Sequence, residues 1–497
     1  MVHLHCHSWF SFGAGASSPR ALAERAASLG QSTLALTDDW SLAGAVQHAR
    51  ECRKLGIKAI FGARVVVENV GLVLLCANGE GYANLCDLLT HAHRERLNPQ
   101  LSLEDLRDRT DGLFALADIR VLVTCGETAT LRRVLCELKS LFETRLFLEL
   151  VHHWHNGDGR AMRQIEAVAQ THKLRVVATN AVRHAAPSEF VLFDALSCVR
   201  LGLQVGQSHL ERPTNEAAFL CDQKYFERLG FSRASLANSE AIARECEVNL
   251  LSPEVTPPPA RVPDGVKPRV YLRKLCSTGF RQRFPGGDAH AVRVLEHELK
   301  VIGALELDEF FLVVREVVEF ARSHGIRCSG RGSAANSLVA FLLGITEVDP
   351  IRHKLLFERF LHEGRRGMPD IDVDFDTSRR NEVISWMHRR WGEAHTAMTA
   401  NVVTFRLRLA MREMAKVLGY PLPLIDRATK LLPHANVRHI REHRRELALV
   451  LGDSPALDVL CDLVEKLHGC PLHLSLHSSG MILSRQPLSP RLKATSE

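Results

Sequence analysis

No stretch of this 497-residue chain is apolar for long enough to cross a membrane: Leu72 to Ala77 and Leu338 to Leu343, the longest such runs, fall far short of the ~20 residues required. The opening Met1-Val2-His3-Leu4-His5 lacks the regions of a signal peptide. Thirteen cysteines are scattered without one Cys-x-x-Cys pair, which argues against a zinc ribbon and for a reducing, cytoplasmic setting. There is no internal repeat and no low-complexity block. A net charge of only +6 does not by itself announce a nucleic-acid partner. The length suggests about three domains at ~150 residues each, and 46% hydrophobic content is ample to build their cores.

Against these absences stands the heptad Pro369-Asp370-Ile371-Asp372-Val373-Asp374-Phe375. Side chains alternate along a strand, so three carboxylates share one face and three apolar groups the other. Stacked like charges are tolerable either in water or around a cation, and carboxylates lining a cleft suit two-metal phosphoryl transfer. Upstream, Gly330-Arg331-Gly332-Ser333-Ala334-Ala335-Asn336-Ser337 precedes the apolar run from Leu338, predicting a small-residue turn that opens onto a helix. Amides at such a start bind anions or are simply capped. No Gly-Lys-Ser/Thr follows, which excludes a Walker A loop. Arg359, between the two motifs, offers a guanidinium suited to phosphate oxygens.

GRGSAANSLVAFLLGIT, then DPIRHKLLFERFL and MPDIDVDF, resembles the palm of bacterial C-family DNA polymerases, the DNA polymerase III alpha type. Thr404-Phe405-Arg406, Arg412 to Gly419 and His473 to His477 continue the likeness, closest to the error-prone branch. The resemblance implies that Asp370 and Asp372 are two of three catalytic aspartates holding Mg2+; Asp374, one step further along the same face, reads as a group supporting them or as a surface residue. It implies that Gly330, Arg331, Gly332, Ser333 and Arg359 hold the phosphates of an incoming nucleotide. DNA primer-template and dNTPs would be the substrates, and a sliding clamp and other replication or mutagenesis proteins the partners, with no membrane involved. In the family a third aspartate, the fingers and the clamp-binding region lie beyond the segment resembling His473 to Pro487, so this chain is expected to polymerise poorly alone. The closing run Ser489 to Glu497 reads as a frayed or frame-shifted tail, and His477-Ser478-Ser479-Gly480 departs from the family's adjacent glycines.

The N-terminal half alternates β-rich runs (32–36, 71–75, 146–150, 175–178) with helical stretches (19–29, 45–55), an α/β pattern compatible with a barrel of parallel strands. His3-Leu4-His5-Cys6-His7-Ser8, Thr37-Asp38 and Phe61-Gly62-Ala63 resemble the PHP domain, a distorted (β/α)7 barrel whose intact members hold metals for phosphoester hydrolysis. The matching ligands are His5, His7 and Asp38. Others are lost: Ala14, Asp39 and Arg64 stand where ligands are expected, and Asn180-Ala181-Val182-Arg183 lacks both members of an Asp-x-His pair. Two imidazoles are too few for a metal site, and Arg64 and Arg183 add fixed positive charge, so a PHP metal is not expected and the barrel reads as a platform. His152, His153 and His155 read as exposed loop histidines.

Proline-rich Ser252 to Pro263 reads as a stiff linker. The expected organisation is a PHP-like domain over 1–250, a linker over 251–270, the first part of an α+β palm over 271–396, a mostly helical thumb over 397–470 and a return to the palm over 471–497. Thr377 to Glu446 holds fourteen Lys and Arg against six Asp and Glu, a surplus greater than that of the whole chain. Val383, Met387 and Trp391 show a helical period there, so Arg379, Arg380, Arg389 and Arg390, with Arg406, are candidates for gripping the DNA backbone without reading sequence. The leading expectation is a portion of an error-prone DNA-directed DNA polymerase, a nucleotidyltransferase. The alternatives are a non-catalytic DNA-binding or assembly remnant and, more weakly, a PHP phosphoesterase.

Overall fold

The computed structural model describes residues 2–94, 99–251, 258–362, 364, 369–434 and 436–488. Residues 252–257 of the expected linker and the tail 489–497 lie outside them. The chain forms two compact units, one of residues 1–252 with 400–475, the other of 253–399 with 476–497.

The first unit is built on a six-stranded sheet in the order β1 (Thr33–Asp39), β2 (Lys58–Val67), β3 (Val70–Cys76), β4 (Leu113–Asp118), β5 (Leu146–Val151), β6 (Arg175–Thr179). Its strands are not all parallel, as the sequence pattern had suggested. β3 runs antiparallel to both β2 and β4, while the other pairs are parallel. The reason is local. Val67 and Val70 pair across a two-residue link whose residues, Glu68 and Asn69, both take positive φ, 46° and 67°, the geometry of a tight hairpin matched to strand twist. The N-terminal segment bridges from His3 to Leu34 in β1 and from Cys6 to Val182, just beyond β6, so the two ends of the curled sheet approach it.

Helices cover this sheet because their apolar periods demand it. Pro19–Ser28 starts where Ser18 accepts a hydrogen bond from the Ala21 amide and proline takes the first turn, and it buries Leu22, Ala23 and Ala26. A second core joins the helix Phe190–Leu201 to helices Leu407–Val417, Leu422–Leu431 and Pro455–Lys466, through Leu192, Leu196, Met411, Met414, Leu460 and Val464.

In the second unit, helices Pro268–Arg283, Ala289–Ala304 and Asp308–Ser323 surround the short helix Leu338–Leu342, with Leu272, Leu299, Phe311, Phe341 and Phe360 in the core. Gly279 permits this packing, since a Cβ there would stand 2.1 Å from the Leu342 carbonyl oxygen. Two ribbons complete the strands, the first within this unit and the second with residues in both. β7 (Cys328–Arg331) pairs antiparallel with β8 (Asp372–Phe375), and β9 (Thr396–Thr404) pairs with β10 (Pro471–Leu483). Among the described residues no helix is long and apolar enough to cross a membrane.

Candidate functional site

The pairing of β7 with β8 brings together two motifs about forty residues apart. Arg331 stands opposite Asp372 and Ser329 opposite Asp374. The strand is shorter than the heptad suggests, but the alternation holds: Asp370, Asp372 and Asp374 are exposed, while Ile371, Val373 and Phe375 are half-buried against the cores. The turn after β7 is a 3-10 helix, Gly332–Asn336. Gly332 enters it at φ 61°, where glycine is favoured, and a Cβ there would meet the Asp372 carboxylate at 3.4 Å. Ser333 Oγ donates to the Asp370 carbonyl oxygen at 3.1 Å. Arg331 Nε donates to Asp374 Oδ1 at 2.9 Å, and its Nη1 lies 4.0 Å from Asp372 Oδ2. Arg359 is exposed on the turn Phe357–Arg359. The exposed oxygens of Asp370 and Asp372 on one face suit a hard cation such as Mg2+, which binds one or two carboxylates and completes its shell with water and phosphate.

The start of helix Leu338–Leu342 is not an anion site. Glu298, wholly buried, accepts from the amides of Leu338 at 2.8 Å and Val339 at 2.9 Å and from Ser337 Oγ at 2.8 Å. An internal carboxylate thus takes the place the sequence offered to a phosphate. Burial pushes the pKa of Glu298 up to about 7 despite these three bonds. A glutamate within the amphipathic helix Ala289–Ala304 gives no sequence sign of this role.

In the first unit His5, His7 and Asp38 are all buried, but none is poised for a metal. His5 Nδ1 is bonded to Glu149 Oε1 at 2.7 Å, and the Nε2 atoms of His5 and His7 face one another at 2.7 Å. His7 Nδ1 lies 3.1 Å from Ser11 Oγ. Asp38 Oδ1 accepts from the Ser8 amide at 2.6 Å and Ser11 Oγ at 2.7 Å, and burial raises its pKa to about 6 against these bonds. Beside them, Asp39 bridges two guanidinium groups, Arg64 Nη1 at 3.0 Å and Arg183 Nη1 at 3.1 Å. Burial and the Arg183 charge hold the His7 pKa well below its ordinary value. This donor set does not fit a divalent cation. Among the described residues no group of three or more His, Cys, Asp or Glu is placed to hold a metal. Glu149, unmarked by any motif, is the acid that sequence reading missed.

His153 is not an exposed loop histidine. It is half-buried, its Nε2 is 2.7 Å from the Asn180 carbonyl oxygen, and burial lowers its pKa to about 4. The basic helix Arg380–Trp391 packs through Val383 and Met387, yet its arginines differ. Arg379 is held by Glu382 through two bonds of 2.7 and 2.8 Å, and Arg380 donates to the Ser478 carbonyl. Arg390 is paired with Glu316 and lies 5.2 Å from the Trp391 ring centre, so it serves packing rather than display. Arg389 is exposed and has no ion pair among the described residues, and Arg406, in the other unit, is exposed.

Residues 270–494 match the family described as Bacterial DNA polymerase III alpha NTPase domain, and residues 3–153 match the PHP domain. Over 490 residues the chain is 37% identical to an error-prone DNA polymerase of Methylococcus capsulatus, covering 98% of this chain and 46% of that protein. Over 523 residues it is 35% identical to an error-prone DNA polymerase of Symbiobacterium thermophilum, covering 98% and 48%. The chain therefore spans just under half the length of these relatives. An amidohydrolase structure from Chromobacterium violaceum matches at 18% identity with a TM-score of 0.30, over 37% of this chain and 87% of that one, a likeness too slight to bear on the argument.

Proposed function

Because this chain belongs to the bacterial DNA polymerase III alpha family, in its error-prone branch and with an N-terminal PHP domain, we propose that it is the N-terminal portion of a DNA-directed DNA polymerase of the translesion or repair type. The observation that carries the reading is the register of β7 and β8, which sets Arg331 opposite Asp372 and brings Ser333 to the Asp370 backbone carbonyl.

In this reading the curled sheet is the PHP-type barrel, serving as a platform. Residues 271–396 begin the palm, 397–470 form the thumb and 471–497 return to the palm. Asp370 and Asp372 would hold Mg2+, which when bound would supply electrostatic stabilisation to the attacking and leaving oxygens of nucleotidyl transfer. Gly332 keeps the space beside Asp372 clear of a side chain, so that a triphosphate can approach the backbone. Ser333 fixes the strand before Asp372 through the Asp370 carbonyl. Arg331 and Arg359 offer guanidinium groups to phosphate oxygens, while Arg389 and Arg406 offer theirs to the DNA backbone. The primer-template and dNTPs are the substrates, and clamp and replication partners engage the intact protein.

The test is primer extension by this chain fused to the remaining length of a relative. Asp370→Asn and Asp372→Asn should each abolish Mg2+-dependent extension while leaving the circular dichroism spectrum unchanged. Extension surviving either change would show that other carboxylates carry the chemistry.

A further inference from the structure

The first unit contains a cavity of about 450 Å3. Every position at which an expected PHP ligand is missing lines it: Ala14, Asp39, Arg64, Ala181 and Arg183. Alanine at two of these positions leaves room, and arginine at two others brings charge. Arg200 and Arg212 also line the cavity, so four guanidinium groups face it against two carboxylates, Asp39 and Glu211.

The rim arginines are each balanced, Arg200 by Glu211 at 2.9 Å and Arg212 by Asp194 through two bonds of 2.7 and 2.8 Å. The inner pair is not. Arg64 and Arg183 share the single carboxylate of Asp39, and both spend only Nη1, Arg183 also on the Ala14 carbonyl at 2.9 Å. Among the described residues nothing meets the Nε or Nη2 of either. Glu149 and Asp118 lie near enough for their charges to favour protonated Arg64, but neither is bonded to it, and Glu149 is bonded to His5. Neither carboxylate is within ion-pair distance of Arg64. Two largely dehydrated guanidinium forks with spare donors, open to a cavity, ask for an oxyanion.

We propose that this cleft binds the phosphate group of a small phosphomonoester between Arg64 and Arg183, without a metal ion. The cavity lies in the range of small-molecule sites, ~300–1,000 Å3, and exceeds the needs of a bare phosphate. Phe193 and Leu210 give its lining an apolar portion against which the organic part of the ester can rest. The inference is independent of nucleotidyl transfer by the second unit.

The experiment is titration calorimetry on the whole chain in EDTA, with deoxyadenosine monophosphate, inorganic phosphate and deoxyadenosine as probes. The monophosphate should bind, inorganic phosphate more weakly and deoxyadenosine not at all. Arg183→Gln should weaken the monophosphate at least tenfold, the scale of a lost charge-assisted hydrogen bond. Should that variant fail to fold, Arg200→Gln at the rim carries the test with an expected weakening of about threefold. The proposal is overturned by any of three results: no binding in EDTA, binding that needs added Mn2+, or binding unchanged in both variants. Inorganic phosphate binding as tightly as the monophosphate would overturn the assignment to an ester.

Discussion

Ser337 Oγ donates a 2.8 Å hydrogen bond to the Glu298 carboxylate, and the two residues together close the start of helix Leu338–Leu342 from within. The folded-state pKa of Glu298, about 7, lies above its ordinary 4.5, so the unfolded chain releases this proton first. Stability from this group is fully present below pH 4.5 and is lost as pH rises through 7, by on the order of 3 kcal/mol. Glu298→Gln, which cannot ionise, should flatten that profile. Glu298→Leu should lower stability at every pH by leaving two buried amides unpaired. Urea midpoints from pH 5 to 8, with hydrogen-exchange protection at Leu338 and Val339, read both effects.

Asp39 behaves oppositely. Burial opposes its charge, but His7, Arg183 and Arg64 hold its pKa well below the usual carboxylate range. Its contribution is present above the ordinary value of 3.8 and is lost as pH falls below it. Asp39→Asn leaves two guanidinium groups facing each other and should cost about 3 kcal/mol at pH 7, measured by denaturant unfolding. The acid-side loss should be reduced in the same variant.

Arg389 and Arg390 are neighbours with different tasks. Arg389→Gln should leave stability within ~0.5 kcal/mol and lower the salt slope of duplex binding by about 0.9, one phosphate contact. Arg390→Gln abandons Glu316 and the Trp391 ring and should destabilise by about 2 kcal/mol with little change in the slope. Fluorescence anisotropy across a salt series and thermal unfolding separate the two.

Arg331 lies between two roles. Its pairs with Asp374 and Asp372 are exposed, so Arg331→Ala should change stability by less than ~1 kcal/mol. Removing the competing cation should tighten Mn2+ binding at the acidic face and weaken dNTP binding. Calorimetry with Mn2+ alone and then with dNTP checks both directions.

Much of the architecture was legible because it is local. The helical stretch 19–29 and the β-rich runs at 71–75 and 146–150 stand where the sequence pattern placed them. The small-residue turn before the apolar run and the alternation of exposed aspartates with half-buried apolar residues were legible in the same way. Illegible features depend on distant partners or on backbone dihedrals. Glu68-Asn69 carries no strong hairpin signature, so the reversal of β3 was missed. Glu298 and Glu149 look like ordinary acids until a helix end and an imidazole meet them. Arg390 reads as displayed until Glu316, in another helix, claims it.

Helix Phe190–Leu201 has its apolar partners beyond Leu407, with the whole 253–399 segment in between. On the ribosome, Leu192, Phe193 and Leu196 therefore emerge on the order of ten to forty seconds before Leu407, at ~5–20 residues per second. During that interval an unfilled greasy surface stays exposed, and the first unit cannot finish folding until residues 253–399 have been made. The nascent chain thus passes through a sticky stage dictated by chain order alone.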